Sequence, residues 1–569
     1  PSFPVGSDTD IHPTSVVNAL GSSNVTIQTG SGSYDLTISS AISYSGSNNL
    51  TLEAGQDILI NSAVDIDSGD LTITSGGNLT VGADLNSATF VATVSGDVAI
   101  NNAINSGSGT LTIDADNDLT VGANLTTSNT GNSAIVLTAG KNDAAGTSSG
   151  GQVMISGSPT ISTGGSGRTT FLTGSVSGST GLTTLVGSGT GRFRYHSDET
   201  TTNYTTALST GKYAIYREQH ATTITPSSTT ITYGDSTPTI SASGLQNGDT
   251  LTASIDSSTY TDHGGGTSYL DVTGANDDDG VFQAAGYALT ENLAVLGYDV
   301  TNTETITVNQ KEVSLTATKT YDGTNVLDGS EVTIGNLVTN EAIGYSGATV
   351  QNKHVMANSS YRYIKAITLT NGTLQSPAAN AGSATKSQNY KLPTLNRSNA
   401  PVTTNVATLS VSVNNGSHAS PSAGLSKTYD GFDSAADDFS PEYSFTGLVS
   451  GDTSAELSFS DANFNSANVA DASSLTISGI TINNISGSND SYPTDYVLES
   501  TTETVAGTIS RASLSATANT SFKFLSESDP SGFSSVAYTG FVNNESASVL
   551  TGSSTLSRTS GETAGDYTL

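Results

Sequence analysis

Four segments in the first third of the chain repeat one short pattern, and the length of that repeat leaves few folds open. They are Leu50-Thr-Leu-Glu-Ala-Gly-Gln-Asp-Ile-Leu-Ile60, Leu71-Thr-Ile-Thr-Ser-Gly-Gly-Asn-Leu-Thr-Val81, Phe90-Val-Ala-Thr-Val-Ser-Gly-Asp-Val-Ala-Ile100 and Leu111-Thr-Ile-Asp-Ala-Asp-Asn-Asp-Leu-Thr-Val121. Their starts lie 21, 19 and 21 residues apart. Each holds two short runs of alternating apolar residues broken by a small or polar turn. A third, weaker run follows, as in Ala63-Val-Asp-Ile66 and Ala83-Asp-Leu85. Looser copies occupy 25–38 and 135–155. Three short strands per turn at this period suit a β-solenoid, in which each coil buries its apolar side only against the next. The inward set is then Leu50, Leu52, Ile58 and Ile60; Leu71, Ile73, Leu79 and Val81; Leu111, Ile113, Leu119 and Val121.

One polar column falls in register just before the second strand: Asp57, Asn78, Asp97 and Asp118. Stacked coils sit about 4.8 Å apart, so these side chains must be solvated, hydrogen-bonded to turn amides, or bridged by cations such as calcium. A turn ladder capping backbone N–H groups and a calcium ladder are both open readings.

Composition removes several classes. At 569 residues the chain is too long for one core and suits about three to five domains. Its 18 Lys and Arg against 51 Asp and Glu give a formal charge of −33, which excludes a phosphate-backbone partner such as nucleic acid. No run approaches the roughly 18 consecutive apolar residues of a membrane span. The absence of Cys removes disulfides, thiolate nucleophiles and zinc or iron–sulfur clusters. The opening Pro1-Ser-Phe-Pro4 has neither Met nor a signal peptide and reads as a processed product or an excerpt.

Past residue 220 the chain becomes a string of modules carrying three markers in one order. The first is a Tyr-centred turn: Ile231-Thr-Tyr-Gly-Asp235, Lys319-Thr-Tyr-Asp-Gly-Thr324, Lys427-Thr-Tyr-Asp-Gly-Phe432, and the divergent Phe522-Lys-Phe524 followed by Asp529-Pro530. The second is a Gly-apolar-acidic turn: Gly244-Leu-Gln-Asn-Gly-Asp249, Gly335-Asn-Leu-Val-Thr-Asn-Glu341, Gly447-Leu-Val-Ser-Gly-Asp452 and Gly540-Phe-Val-Asn-Asn-Glu545. The third is a late Tyr-x-Leu or Tyr-x-Val: Tyr298-Asp-Val300, Tyr390-Lys-Leu392, Tyr496-Val-Leu498 and Tyr567-Thr-Leu569. The middle markers recur after 91, 112 and 93 residues, the size of a small β-sandwich or β-grasp-like unit. Asp-Gly favours a tight turn with positive φ, and the Tyr ring is expected to close one end of a sheet.

These residues carry a family resemblance. The coils resemble the β-helical shaft of filamentous-haemagglutinin-type exoproteins, the large adhesins of two-partner secretion. Phe193-Arg-Tyr-His-Ser-Asp198, Tyr204 and Lys212-Tyr-Ala-Ile-Tyr-Arg217 resemble the aromatic, basic closing segment of such shafts, which covers the end of the core. The Lys-Thr-Tyr-Asp-Gly openings at 319 and 427 resemble the YDG repeat domain. The opening near Tyr233 and the final unit resemble the MBG domains that accompany it on bacterial surface proteins. The expected fold is therefore all-β: a right-handed parallel β-solenoid followed by small β-sandwich or β-grasp-like modules in an elongated rod. The expected boundaries are 1–220 for the shaft and its capping segment, 221–312 for an MBG-like module, 313–412 and 413–514 for YDG-like modules, and 515–569 for an incomplete MBG-like module. The last module stops three residues into its late strand. That predicts a truncated or excerpted chain, or a strand supplied by a neighbouring subunit through β-augmentation.

Chemistry is sparse. His12, His196, His220, His263, His354 and His418 have no ligand spacing. Gly174-Ser-Val-Ser-Gly178 is not set between a strand and a helix as a nucleophile elbow requires. Gly274-Ala-Asn-Asp-Asp-Asp-Gly280 has a calcium-loop flavour without the distant bidentate Glu, leaving a solvated loop or a calcium site. Lys141 is the first basic residue, so a polysaccharide-cleaving cleft on the coils would lack a cation to stabilise developing charge. Thr72, Thr80, Thr112 and Thr120 do not form the flat Thr-x-Thr columns of an ice-binding face. Sequons such as those at Asn24, Asn78 and Asn203 arise by chance in so Ser/Thr-rich a chain.

The sequence thus predicts a non-enzymatic, extracellular or cell-surface protein with no catalytic, cofactor or metal residues, calcium being the one cofactor left open. The first reading is a surface adhesin whose repeats form a stalk for adhesion, cell–cell attachment or biofilm, with an outer-membrane two-partner-secretion transporter implied by the resemblance. The alternative is a structural subunit of an extracellular filament, sheath or matrix, self-associating head to tail through strand complementation.

Overall fold

The structure is a computed structural model that describes residues 1–5, 9–30, 32–255, 260–262, 268–270, 274–276, 282–284, 286–302, 304–339, 341–355, 359–372, 387–417, 425–530, 535–552, 554 and 556–568. His263, His418, Leu569 and the acidic run Asp277-Asp-Asp279 lie outside the described residues. The chain forms two compact units, one of Pro1–Asp262 with Gly266–Asn309 and one from Gln310 to Leu569.

The first unit is built on the 20-residue repeat. Each coil places one strand in each of three parallel sheets of ten, six and six strands. Register makes the apolar columns continuous. Leu50, Leu71, Phe90, Leu111 and Ile135 are successive partners in the first sheet. Ile58, Leu79, Val98, Leu119 and Val153 follow one another in the second, and Val64, Leu85, Ile104, Leu125 and Ile161 in the third. All twelve residues expected to face inward are fully buried. A buried side chain of this size contributes about 1.5–3 kcal/mol, so the core is a sum of neighbour contacts along the stack.

Both ends of this core are covered. At the start, helix α1 (Pro13–Leu20) buries Val16 and Leu20 against the first coil. Pro13 fits the first helical position, where no N–H is needed, and Thr14 N–H donates to the His12 ring at 3.2 Å. At the other end Gly211–Tyr216 and Phe193–Arg194 extend the ten-stranded sheet after Arg168–Thr173. The Tyr216 ring stacks on Tyr195 and Phe193 with centroids 5.7 and 6.4 Å apart, all three buried. The buried guanidinium of Arg217 donates to the carbonyls of Ala139 (2.5 Å) and Gly151 (2.9 Å), and that of Arg194 to those of Gly191 and Phe193. These two guanidinium groups are therefore occupied by backbone carbonyls.

The modules share a strand arrangement. A first strand lies between an antiparallel neighbour and a parallel late strand: Ala221–Pro226 between Ile240–Ser243 and Asp299–Thr301, and Ala407–Ser417 between Ser440–Thr446 and Tyr496–Leu498. Ser314–Thr320 pairs antiparallel with Val332–Gly335, while Lys311–Glu312 just before it pairs in parallel with Tyr390–Lys391. In the last module Ser515–Ala518 pairs antiparallel with Val536–Thr539, and among the described residues no strand lies on its other side. Tyr567 and Thr568, expected in a late strand, are not in one.

Candidate functional site

The polar column on the coils forms a side-chain ladder to backbone amides. Asp57 N–H donates to Asp35 Oδ1 at 3.0 Å, Asn78 N–H to Asp57 Oδ1 at 2.7 Å, Asp97 N–H to Asn78 Oδ1 at 2.7 Å, Asp118 N–H to Asp97 Oδ1 at 3.1 Å and Gln152 N–H to Asp118 Oδ1 at 2.8 Å. Each side chain thus caps the next coil, satisfying turn amides that the strands leave over. Asp35 and Gln152 extend the column beyond its four sequence-marked members. A second run, from Asn24 to the Asn49 amide and from Asn49 to that of Asp70, does the same on another turn.

The module markers assemble into one repeated unit. In each of the first three modules, the late tyrosine donates its hydroxyl to the acid of the middle marker. Tyr298 reaches Asp249 Oδ2 at 3.0 Å, Tyr496 reaches Asp452 Oδ2 at 2.5 Å, and Tyr390 reaches Glu341 Oε2. The same tyrosine oxygen accepts the amide three residues before that acid, from Gln246 (2.9 Å), Val449 (3.0 Å) and Val338 (2.8 Å). The acid's own N–H closes the turn onto the carbonyl of that residue at 2.8, 3.0 and 3.1 Å respectively. Burial, and after it chiefly the neighbouring carboxylate, holds these tyrosines well above the ordinary phenol range. Burial likewise raises Asp249, against the lowering effect of hydrogen bonds from Tyr195 and Tyr298.

Asp249 and Glu545 also accept a hydroxyl from the preceding element, and Asp452 is reached from it through Ser491, so there the unit becomes a joint. Tyr195, from the capping segment, donates to Asp249 Oδ2 at 2.7 Å, its ring 4.5 Å from that of Tyr298. Tyr321, from a Lys-Thr-Tyr-Asp-Gly turn, is 2.6 Å from the Ser491 hydroxyl, which donates to Asp452 Oδ2 at 2.6 Å. Tyr429, from the next such turn, donates to Glu545. Tyr321 is buried among Ile485 and Tyr496 of the following module and Ala407, Leu409 and Val411, whose strand Ala407–Ser417 runs across the boundary expected at 412/413 and pairs with that module's strands.

The joint around Tyr321 carries a second layer that the markers do not reveal. Buried Asp495 accepts from Val355 N–H and Tyr492 N–H, each at 2.8 Å, and pairs with the His354 ring at 2.7 Å. His354 lies 4.2 Å from Tyr492 and 6.1 Å from Tyr321, ring to ring, and Lys353 donates to the carbonyls of Gly323 and Asn489. One signal in sequence points to it: Asp495 stands immediately before the late Tyr496.

The lysine of the opening turn is structural. Lys319, 2% exposed, binds Asp322 at 2.9 Å and the carbonyls of Thr324 (3.2 Å) and Val326 (2.6 Å). Lys427 repeats this with Asp430 at 2.8 Å and the Ser434 carbonyl. Of the other sequence-marked residues, His220 pairs with Glu218 at 3.2 Å and meets the Tyr195 ring edge-on. Contrary to expectation, the Gly174–Gly178 turn does lie between a strand, Arg168–Thr173, and a short helix, Leu182–Val186, but Ser175 and Ser179 around it are buried on the Gln152 side chain. The described residues contain no group of three or more His, Asp or Glu placed to hold a metal, and no helix long and apolar enough to cross a membrane. Hydroxyl and carboxylate thus fasten one element to the next at Tyr195–Asp249, Tyr321–Ser491–Asp452 and Tyr429–Glu545.

Residues 514–569 match the family model of the MBG domain (YGX type). No curated protein and no solved structure matches the chain.

Proposed function

We propose that the chain is a non-catalytic bacterial surface exoprotein of the filamentous-haemagglutinin-like, two-partner-secretion kind, whose coil and YDG- and MBG-like modules serve as a stalk for adhesion or cell–cell attachment. The carrying observation is the repeated joint, in which Asp249 and Glu545 accept a tyrosine hydroxyl from the preceding element and Asp452 is reached from it through Ser491. Such fastening suits a chain selected to transmit position and load along its length. The match to an MBG domain, a kind that occurs in surface-associated proteins, supports the same reading. The strongly acidic composition suits a highly hydrated surface, and without Cys the stability comes from sheet and stacking. The test is deletion of the gene in its source and complementation with the full chain. Attachment to surfaces and between cells should fall on deletion and return on complementation; unchanged attachment would remove the reading.

The filament-subunit alternative draws on one observation, the side of Ser515–Ala518 that no strand among the described residues pairs. A subunit polymerising through that edge gives sedimentation that grows with concentration, whereas a stalk sediments as one species.

A further inference from the structure

In the first three modules the strand that leads into the tyrosine-centred turn lies parallel to the last strand of its own module. Thr230–Thr232 lies beside Thr305–Asn309, Ser314–Thr320 beside Val402–Asn405, and Ser426–Thr428 beside Thr508–Ser510. The amide of the turn's tyrosine extends each ladder onto the final residue of that last strand. Tyr233 N–H donates to the Asn309 carbonyl at 2.8 Å, Tyr321 to that of Asn405 at 2.9 Å and Tyr429 to that of Ser510 at 2.8 Å. At the other end, Thr307 donates to Thr229, Ala317 to Pro401 and Thr508 to Leu425, at 2.9, 3.0 and 3.2 Å.

The middle of each ladder is dry. Val308 opposite Ile231, Thr404 opposite Lys319 and Ile509 opposite Lys427 are 0–3% exposed. Lys319 and Lys427 are buried too, their ammonium groups holding carbonyls of the loop beyond the turn. The word Lys-Thr-Tyr thus spells an inward residue of the ladder, an outward one, and the residue whose amide ends it. Little chain separates one module from the next. Only Gln310 lies between Thr305–Asn309 and Lys311–Glu312, and only Val406 between Val402–Asn405 and Ala407–Ser417. Tension along the chain therefore enters and leaves a module through its strands and not through slack linkers.

We propose that this parallel pair is a shear clamp, through which each of the three modules resists tension along the chain. In the second module Ser314–Thr320 leads in and Val402–Asn405 leads out, both running in the same direction. A pull toward the start of the chain on one and toward its end on the other slides the two strands past each other. Ladder bonds lie across the strands, so sliding strains all of them together, whereas a pair opened from one end gives one bond at a time. The dry middle denies a half-slipped ladder replacement bonds from water. The clamp's use rests on the stalk function proposed above. Should attachment survive deletion of the gene, that function falls, while the clamp stands or falls on pulling forces alone.

The chain has no cysteine, so a pair introduced on the full chain sets where a pull is applied. T316C with N405C grips opposite ends of the second module's ladder, as the chain itself does. T320C with N405C grips two paired residues at one end. All three positions are exposed, and the two pairs enclose nearly the same length of chain, so only the direction of the pull differs. Single-molecule force spectroscopy should release that length in both proteins, at a several-fold higher force in the first, because rupture force reads the barrier to unfolding. Equal forces in the two proteins, or a lower force in the first, overturn the clamp.

Discussion

The hydroxyl of Tyr195, in the segment that closes the coil, lies 2.7 Å from Oδ2 of Asp249, in the turn of the module that follows. The same oxygen takes the hydroxyl of Tyr298 at 3.0 Å, so one carboxylate holds two buried tyrosines from different elements.

Asp249→Ala leaves both hydroxyls without their acceptor, at a cost of about 1–3 kcal/mol for each buried unsatisfied group. Asp249→Asn keeps an acceptor oxygen and should recover most of the loss. Tyr298→Phe should cost about 1 kcal/mol. Chemical denaturation of the three variants orders them, and equal losses for Asn and Ala would deny the hydrogen bonds their role.

High pH should loosen the joints through their tyrosines. Tyr321 is pushed up to about 12, by burial first and then by the charges of Asp495 and Asp452 against the opposing Ser491 hydrogen bond. A folded value above the unfolded one of about 10 gives stability that is full below pH 10 and lost as pH rises toward 12. Tyrosine absorbance followed with circular dichroism through this range should show joint tyrosines ionising as structure is lost. Ionisation of all tyrosines near pH 10 with structure intact would contradict this.

Acid acts on the capping segment at Asp198. Burial pushes its carboxyl up, but the Thr200 hydroxyl and the amides of Thr200, Ala145 and Thr201 outweigh that and hold it at about 2. Its contribution is therefore present above pH 4 and lost as pH falls toward 2. Asp198→Asn should lower the stability of the first unit at neutral pH and flatten its acid dependence; an unchanged acid profile would refute the assignment.

Along the coil, Asp97→Ala strips the Asp118 amide of its acceptor and should cost about 1 kcal/mol, while Asp97→Asn, like the native Asn78, should be close to neutral. Because the ladder oxygens are met by amides, chelation with EDTA should leave thermal melting of the coil unchanged. A drop in melting temperature on chelation would restore the calcium reading of this column.

Leu79→Ala opens a cavity in the middle of a column whose members are 0–1% exposed and should cost about 2–5 kcal/mol by thermal or urea unfolding. A loss below 1 kcal/mol would mean that the stack repacks freely.

The coil was legible because its constraint is local: a 20-residue period and two alternations are enough to choose Leu71, Ile73, Leu79 and Val81 as inward. Helix α1 was not, since only Val16 and Leu20 of its residues are buried, too few to give a helical period. The three module markers were visible as words, but not that Tyr298 and Asp249, 49 positions apart, are two halves of one hydrogen bond. Still less visible was the partner of Tyr321, a serine 170 positions away. Such pairings depend on how one module seats on the next, which periodicity does not encode. Lys319 and Lys427 stand beside their tyrosines in sequence, yet their burial follows from the loop carbonyls they gather.

The most direct test of the surface-stalk account is immunogold labelling of intact source cells with antibodies raised separately against residues 1–309 and 310–569. The account predicts dense label from both antibodies on unpermeabilised cells, lost in the deletion strain. Label that appears only after permeabilisation would contradict it.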